Sequence, residues 1–246
     1  MLTHANLHLP KVIGHRSASA YAPENTVAAL KKAHELKATW IEFDVMLTQD
    51  HIAMIFHDDT LDRTTNGAGL VAHTRYQDLC TLDAGAWFSP KFIGEKIPTL
   101  VDYLTHANTY HLGINLEIKP SPGKEIETAE KVIETLHQHW PMNDGSLLIS
   151  SFSVPALQRA RQLDQCVPLG LLLEKLDTVN WQTIVHQLSC CSLNIHHTLL
   201  TAKTIKEIKC HVAHALAFTV NDKDRAFALF EMGVDSIFSD RPDLLV

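Results

Sequence analysis

The chain has 246 residues, 46% of them hydrophobic and 20% charged, with a formal net charge of −7. That length and balance suit a soluble α/β chain able to bury a core without disulfides, and they exclude a disordered, collagenous or coiled-coil protein. The acidic surplus argues against a nucleic-acid partner, and no apolar run approaches the roughly 20 residues that span a bilayer, so no transmembrane segment is expected.

The opening Met1-Leu2-Thr3-His4-Ala5-Asn6 lacks the charged and apolar regions of a signal peptide. Cys80, Cys166, Cys190, Cys191 and Cys210 are odd in number and form no C-x-x-C. They read as free thiols in a reducing, cytoplasmic setting.

Along the chain, Val12-Ile13-Gly14 reads as a first strand. Pro23-Glu24-Asn25-Thr26 opens a helix to about Lys37, with Asn25 or Thr26 as its cap. Trp40 to Val45 is a second strand, and Ile52 to Phe56 an extra strand beside it. Residues 58–97 then break the rhythm. They carry turn signals (Asn66-Gly67, Ser89-Pro90) and the aromatics Trp87, Phe88 and Phe92. This stretch reads as a small subdomain inserted into one domain of residues 1–246, forming a lobe over the mouth. Its aromatics need a small core of their own, and Trp87-Phe88 serves either there or as a wall against a substrate. After Pro98, strands follow at Gly113–Ile118, Leu147–Ser151, Leu169–Leu173, Ser192–Ile195, Ala215–Val220 and Ser236–Phe238. Helical stretches lie between them at about 99–109, 125–138, 154–164, 178–188, 201–209 and 223–232. Eight alternating βα units predict a TIM (β/α)8 barrel; an open doubly wound sheet is the structural alternative.

Strand parity locates the chemistry. Residues two apart on a strand share a face. Ile41, Phe43 and Val45 suit packing under helices, which turns Glu42 and Asp44 to the other face. On the strand from Gly113, Leu116 and Ile118 point one way, and Asn115, Glu117 and Lys119 the other. Converging buried carboxylates are costly unless paired or bound to metal. Glu42, Asp44 and Glu117 therefore form a candidate site for a hard divalent cation, Mg2+ or Ca2+. An internal salt-bridge network with Lys119 would leave two acids uncompensated. His15-Arg16 ends the first strand and His57-Asp58 the extra one. Imidazoles there suit general acid–base work, and Arg16 and Lys119 suit phosphate.

The segments His15-Arg16-Ser17 with Pro23-Glu24-Asn25-Thr26, Glu42-Phe43-Asp44-Val45, and His57-Asp58 through Arg63-Thr64-Thr65 come in that order. Leu82-Asp83-Ala84-Gly85 with Ile97-Pro98-Thr99-Leu100, Asn115-Leu116-Glu117-Ile118-Lys119, and Asp235 to Pro242 follow. In order and spacing this series resembles the glycerophosphodiester phosphodiesterase family, from about Lys11 to Leu244. The resemblance implies a TIM barrel with a small insertion and a divalent cation held by Glu42, Asp44 and Glu117. It further implies His15 and His57 as the acid–base pair, Arg16 and Lys119 on the phosphate, and Phe218 as the aromatic near the substrate. The implied substrates are small glycerophosphodiesters such as glycerophosphocholine or glycerophosphoethanolamine, cleaved to glycerol 3-phosphate and an alcohol. Which histidine is the acid stays open, as does whether water attacks directly or a cyclic phosphate forms first. Ser17 stands where the family usually has glycine.

Other features carry less. Gly67-Ala68-Gly69-Leu70-Val71-Ala72 fits a dinucleotide fingerprint but follows a polar run rather than a strand. His137 and His139 read as a helix end, and His196-His197 as a loop pair with a minor chance of touching substrate. A lysophospholipase D-type enzyme would need an apolar groove for acyl chains. A non-catalytic phosphodiester-binding barrel would have lost a histidine or a metal ligand, and neither loss is seen.

Overall fold

The computed structural model describes residues 7–142, 144–176 and 179–245. The opening six residues, and position 178 of the sixth helical stretch, lie outside these. The strands are β1 (Val12–Gly14), β2 (Trp40–Leu47), β3 (Ala53–Ile55), β4 (Gly113–Ile118), β5 (Leu147–Ser151), β6 (Leu169–Leu173), β7 (Ser192–His196), β8 (His214–Phe218) and β9 (Ser236–Ser239). The sheet runs β1-β9-β8-β7-β6-β5-β4-β2-β3, and a further β1–β2 pairing closes it. Eight strands pair in parallel around the ring. The short β3 lies antiparallel on β2, outside the ring. The fold is thus a closed TIM barrel, and the open-sheet alternative falls.

The helices are α1 (Val27–Glu35), α2 (Tyr76–Leu79), α3 (Leu100–Thr109), α4 (Glu125–His139), α5 (Val154–Leu163), α6 (Trp181–Gln187), α7 (Ala202–Lys209) and α8 (Lys223–Glu231). Thr26, not Asn25, caps α1, its side chain accepting from the Ala29 amide. Thr99, Ser153, Thr201 and Asp222 cap α3, α5, α7 and α8 in the same way. Each satisfies an amide that the first helical turn leaves without a partner.

The outward face of the strands builds the main core. Ile41, Phe43 and Val45 of β2, Ile114, Leu116 and Ile118 of β4, and their counterparts on later strands pack beneath the helices. The inward face differs along its length. At the bottom, Leu7, Ile13, Trp40, Leu148, Leu216 and Phe238 form an apolar plug. Gly113 makes it possible, because a Cβ there would sit 2.3 Å from the Trp40 ring. Buried polar groups also face inward, with Asn115 donating to Ser150 Oγ at 2.8 Å and Ser192 to Asn194 Oδ1 at 2.9 Å.

Residues 58–97 contain two 3-10 turns, Val71–His73 and Pro90–Phe92, besides α2. Their apolar contacts differ from the expected aromatic core. Leu61, Val71, Leu79, Ala84 and Ile97 pack on Met46, Met54 and Phe56. The stretch therefore shares its core with the C-terminal end of β2 and with β3. Trp87, Phe88 and Phe92 meet one another edge to face instead, at 5.6 Å. Trp87 is exposed and needs no core for its ring nitrogen, which donates to Ala84 O at 2.9 Å.

Phe43 has no exposed surface and packs edge-on against Tyr103, 4.8 Å between ring centroids. Phe43→Ala should cost about 3–5 kcal/mol, the range for emptying a buried aromatic site. Urea unfolding of the two proteins at one pH measures it.

Candidate active site

Register brings the carboxylates together. In the parallel β2–β4 ladder, Glu42 stands opposite Asn115 and Asp44 opposite Glu117. All three acids are buried, and each offers an oxygen within 4.8 Å of the others'. Two loops hold their orientation. The Arg16 amide donates to Glu42 Oε2 at 2.8 Å, and Asn25 Nδ2 to Asp44 Oδ2 at 2.9 Å. Asn25, weighed above only as a helix cap, instead sits at φ +59° and braces a carboxylate.

Electrostatics in this cluster are strained. Burial, then the nearby Asp44, pushes the Glu117 carboxyl up to about 8. Burial, then Asp44 and Glu117, raises Glu42 well above the usual carboxylate range. Burial opposes ionisation of Asp44 too, but Arg16, with His57 and Lys119, outweighs it and holds Asp44 below its ordinary value. Lys119 lies 3.6 Å from Glu117 and Arg16 3.7 Å from Asp44. Three carboxylates thus face two cations, and Arg16 is also engaged by Glu24 at 2.6 Å. An oxygen-only set of buried acids that cannot all ionise fits a hard divalent cation.

The two histidines enter from different loops. His15 Nδ1 pairs with Asp240 Oδ1 at 2.6 Å. Asp240 also accepts from Ser19 at 2.8 Å and Asn221 at 2.5 Å. Against its own burial, these partners, with His15 foremost, bring Asp240 down to about 2. His57 Nδ1 pairs with Asp58 Oδ1 at 2.5 Å. Arg63 grips both oxygens of Asp58, at 2.6 and 2.9 Å, and donates twice to Glu24. Burial, with Arg16 and Lys119 nearby, lowers the basicity of His57 although Asp44 pulls the other way.

Ser17 occupies a left-handed turn at φ +72°, directly after Arg16 at +47°. Such backbone favours glycine. Its hydroxyl shares a 2.6 Å hydrogen bond with Tyr103, and its amide donates to Glu42 O at 3.0 Å. The turn is therefore tied to both α3 and β2.

One cavity of about 460 Å³ at the C-terminal ends of the strands joins these groups. His15, Arg16, Glu42, Asp44, His57, Glu117, Lys119 and Phe218 all line it, so every expected site residue lies in one place. It also takes in Phe152, Glu174 and His196, of which only His196 carried any expectation of substrate contact. Its neighbour His197 instead accepts Arg225 through its backbone carbonyl, away from the cavity lining. The dinucleotide-like glycines lie in the 58–97 segment, with no strand leading directly into them.

The model of the glycerophosphoryl diester phosphodiesterase family matches residues 15–244. The chain belongs to this family. Family members named glycerophosphodiester phosphodiesterase include one from Caldanaerobacter subterraneus subsp. tengcongensis, 33% identical over 96% of both chains. Another, from Bacillus subtilis, is 32% identical over 94% of this chain and 84% of its own. Among solved structures, an Oleispira antarctica phosphodiesterase in complex with the product sn-glycerol-3-phosphate is 42% identical. It superposes with a TM-score of 0.92 over 96% of this chain and 94% of its own. A glycerophosphodiester phosphodiesterase from Agrobacterium tumefaciens is 28% identical, with a TM-score of 0.80 over 96% and 98%.

A testable consequence follows from Glu117. Its ordinary value is 4.5 and its folded value about 8. Between these limits the metal-free folded state holds a proton that the unfolded chain has released. Stability is then full below 4.5 and falls as pH climbs toward 8. A divalent cation binding the three acids would displace that proton and the one held by Glu42, so affinity for Mg2+ or Ca2+ should rise about tenfold per pH unit for each proton released. Isothermal titration at pH 6, 7 and 8 measures the slope. Glu117→Gln should lessen it by the one proton that this residue releases.

Proposed function

We propose that this chain hydrolyses glycerophosphodiesters to sn-glycerol 3-phosphate and an alcohol, dependent on a divalent cation, with His57 as general base and His15 as general acid. Family membership and the product bound by the Oleispira relative support the overall reaction. The observation that carries the mechanism is that two imidazoles, each with Nδ1 tied to a carboxylate, line the same cavity as three buried acids. Neither carboxylate leaves Nδ1 free, so Nε2 of each ring is the nitrogen available for proton transfer.

A cation held by Glu42, Asp44 and Glu117 supplies charge neutralisation to the phosphoryl oxygens. Arg16 and Lys119 supply more from the side. Displacement at phosphorus needs attacking and leaving oxygens in line, so the two rings act on opposite oxygens. Their carboxylates differ in a way that separates the roles. Asp58 is already neutralised by Arg63, and His57 stands neutral, ready to take a proton from the nucleophile. Among the described residues, the side chains that bond Asp240 besides His15 are the neutral Ser19 and Asn221, so its charge faces the His15 ring. We assign to His15 the delivery of a proton to the leaving alkoxide. Phe218 lines the cavity beside them and contacts the substrate.

We take residues 58–97 to be a lobe of a single domain that covers the mouth, supported by their packing on the C-terminal end of β2. No helix among the described residues is long and apolar enough to cross a membrane. Five free cysteines support a cytoplasmic setting.

Release of glycerol 3-phosphate from glycerophosphocholine tests the reaction. It should cease with EDTA and return with Mg2+ or Ca2+. A folded protein that releases none under any of these conditions would overturn the reading. His15→Ala and His57→Ala should each lose about 10²–10⁴-fold in kcat/KM, the range for general acid–base loss. A p-nitrophenyl phosphodiester needs little protonation of its leaving group. It should restore His15→Ala far more than His57→Ala, and the reverse pattern would exchange the two roles.

A further inference from the structure

Far from the mouth, two imidazoles face each other. His186 lies in the last turn of α6, and His211 follows the end of α7 by two residues. His186 Nε2 and His211 Nδ1 are 2.9 Å apart, with ring centroids at 5.1 Å and planes at 72°. α6 leads into β7 and α7 into β8, so the pair sits at the N-terminal ends of the strands, opposite the cavity. His186 is exposed and His211 half-buried. Neighbouring contacts hold the two positions. The buried Trp181, first residue of α6, meets the His211 ring edge to face at 5.2 Å. One helical turn back, Gln182 of α6 donates to Glu207 Oε1 of α7 at 3.1 Å.

Other close histidines are arranged differently. His196 and His197 stack with planes at 28°, and His137 pairs with the Asp164 carboxylate at 2.8 Å. In the His186–His211 pair two ring nitrogens converge. Nitrogens bound to one ion at 2.0–2.1 Å are about 2.9 Å apart at a right angle and about 3.3 Å apart at the tetrahedral angle. The pair thus already has the spacing of a chelate. As neutral rings, one nitrogen donates its proton to the other. Moving that proton to the far nitrogen of its own ring leaves lone pairs on both facing nitrogens, and the pair loses no proton. Cys210 does not contribute, since its thiol turns back to the Lys206 carbonyl. Among the described residues, no third His, Cys, Asp or Glu donor lies within 4.8 Å of both nitrogens. Water therefore completes the shell.

We propose that His186 and His211 form a second metal site, which takes a borderline divalent cation of the Zn2+, Ni2+ or Cu2+ class and ties α6 to α7. Imidazole ligands suit those ions, whereas Mg2+ and Ca2+ demand oxygen. The site is therefore chemically distinct from the three buried acids. Its place at the N-terminal face of the barrel, away from the reacting groups, gives it a role in stability rather than in hydrolysis.

The test titrates Ni2+ into the full chain at pH 8 with Mg2+ saturating. Isothermal titration should show one Ni2+ bound per chain, and that binding should be lost in His186→Gln and in His211→Gln. At free Ni2+ 100 times its Kd, the ratio of folded to unfolded wild type should rise about 100-fold by mass action, and in either variant it should stay unchanged. Before Ni2+ is added, both variants should unfold at nearly the wild-type temperature. In the wild type, paramagnetic Ni2+ should broaden the imidazole NMR signals of His186 and His211 before those of the other histidines, a readout that needs no variant. Absence of Ni2+ binding, equal affinity in the wild type and the doubly substituted chain, or earlier broadening of other histidines would overturn the proposal. None of these outcomes touches the phosphodiesterase reading.

Discussion

Mutual repulsion among three buried carboxylates governs this molecule. Glu42, Asp44 and Glu117 are drawn together by the parallel register of β2 and β4, which is itself enforced by the hydrophobic face on the other side of the same strands. A one-residue slip of β2 would bury Ile41, Phe43 and Val45 in the barrel and expel both acids. The core beneath the helices therefore sets the position of the charges, and burial makes those charges expensive. Everything at the mouth answers that cost. Arg16 and Lys119 approach, Asn25 and the Arg16 amide donate, and the remaining deficit is what a divalent cation would relieve.

The same demand explains the backbone of the first loop. To send the Arg16 amide to Glu42 and its guanidinium toward Glu24 and Asp44, the chain passes through left-handed conformations at Arg16, Ser17 and Asn25. Non-glycine residues there cost of order 1–3 kcal/mol in the sparsely populated regions and persist only when their surroundings hold them. The holding contacts are visible: Ser17 to Tyr103 and to the Glu42 carbonyl, and Asn25 to Asp44. Ser17 thus holds a backbone conformation that favours glycine while adding a tether to α3.

Much of this was legible in the sequence wherever periodicity carried it. The parity of Trp40 to Val45 and of Gly113 to Ile118 turns the acids inward, and eight βα alternations imply closure. The boundaries of β4, β5 and β6 agree with the structure to the residue, whereas β8 begins at His214 and ends at Phe218, earlier than its apolar run implies. Contacts made across the barrel were less legible. Asp240 lies 225 residues from His15, and their pairing depends on β9 lying beside β1, which no local pattern announces. The core of the 58–97 segment was misread for a related reason. Its apolar partners Met46 and Met54 belong to neighbouring strands and Phe56 follows β3, which leaves its own aromatics free to cluster outside that core. Phe152 and Glu174 sit just past strand ends, where no alternation remains to assign a face.

The two halves of the mouth show how one scaffold divides its tasks. The β1–β2–β4 side collects charge, and each group there is held by at least one other, as Asp58 is by Arg63 and Arg63 by Glu24. A linked network of this kind keeps reacting groups in place, because moving one would leave a neighbour unpaired at a cost larger than the bond itself is worth. On the β5–β8 side Phe152 and Phe218 meet edge to face, and phenyl rings have no lone pairs to satisfy. Chemistry requires fixed positions and substrate choice requires only fit. The rigid half therefore suits the phosphate, which every diester of the class shares.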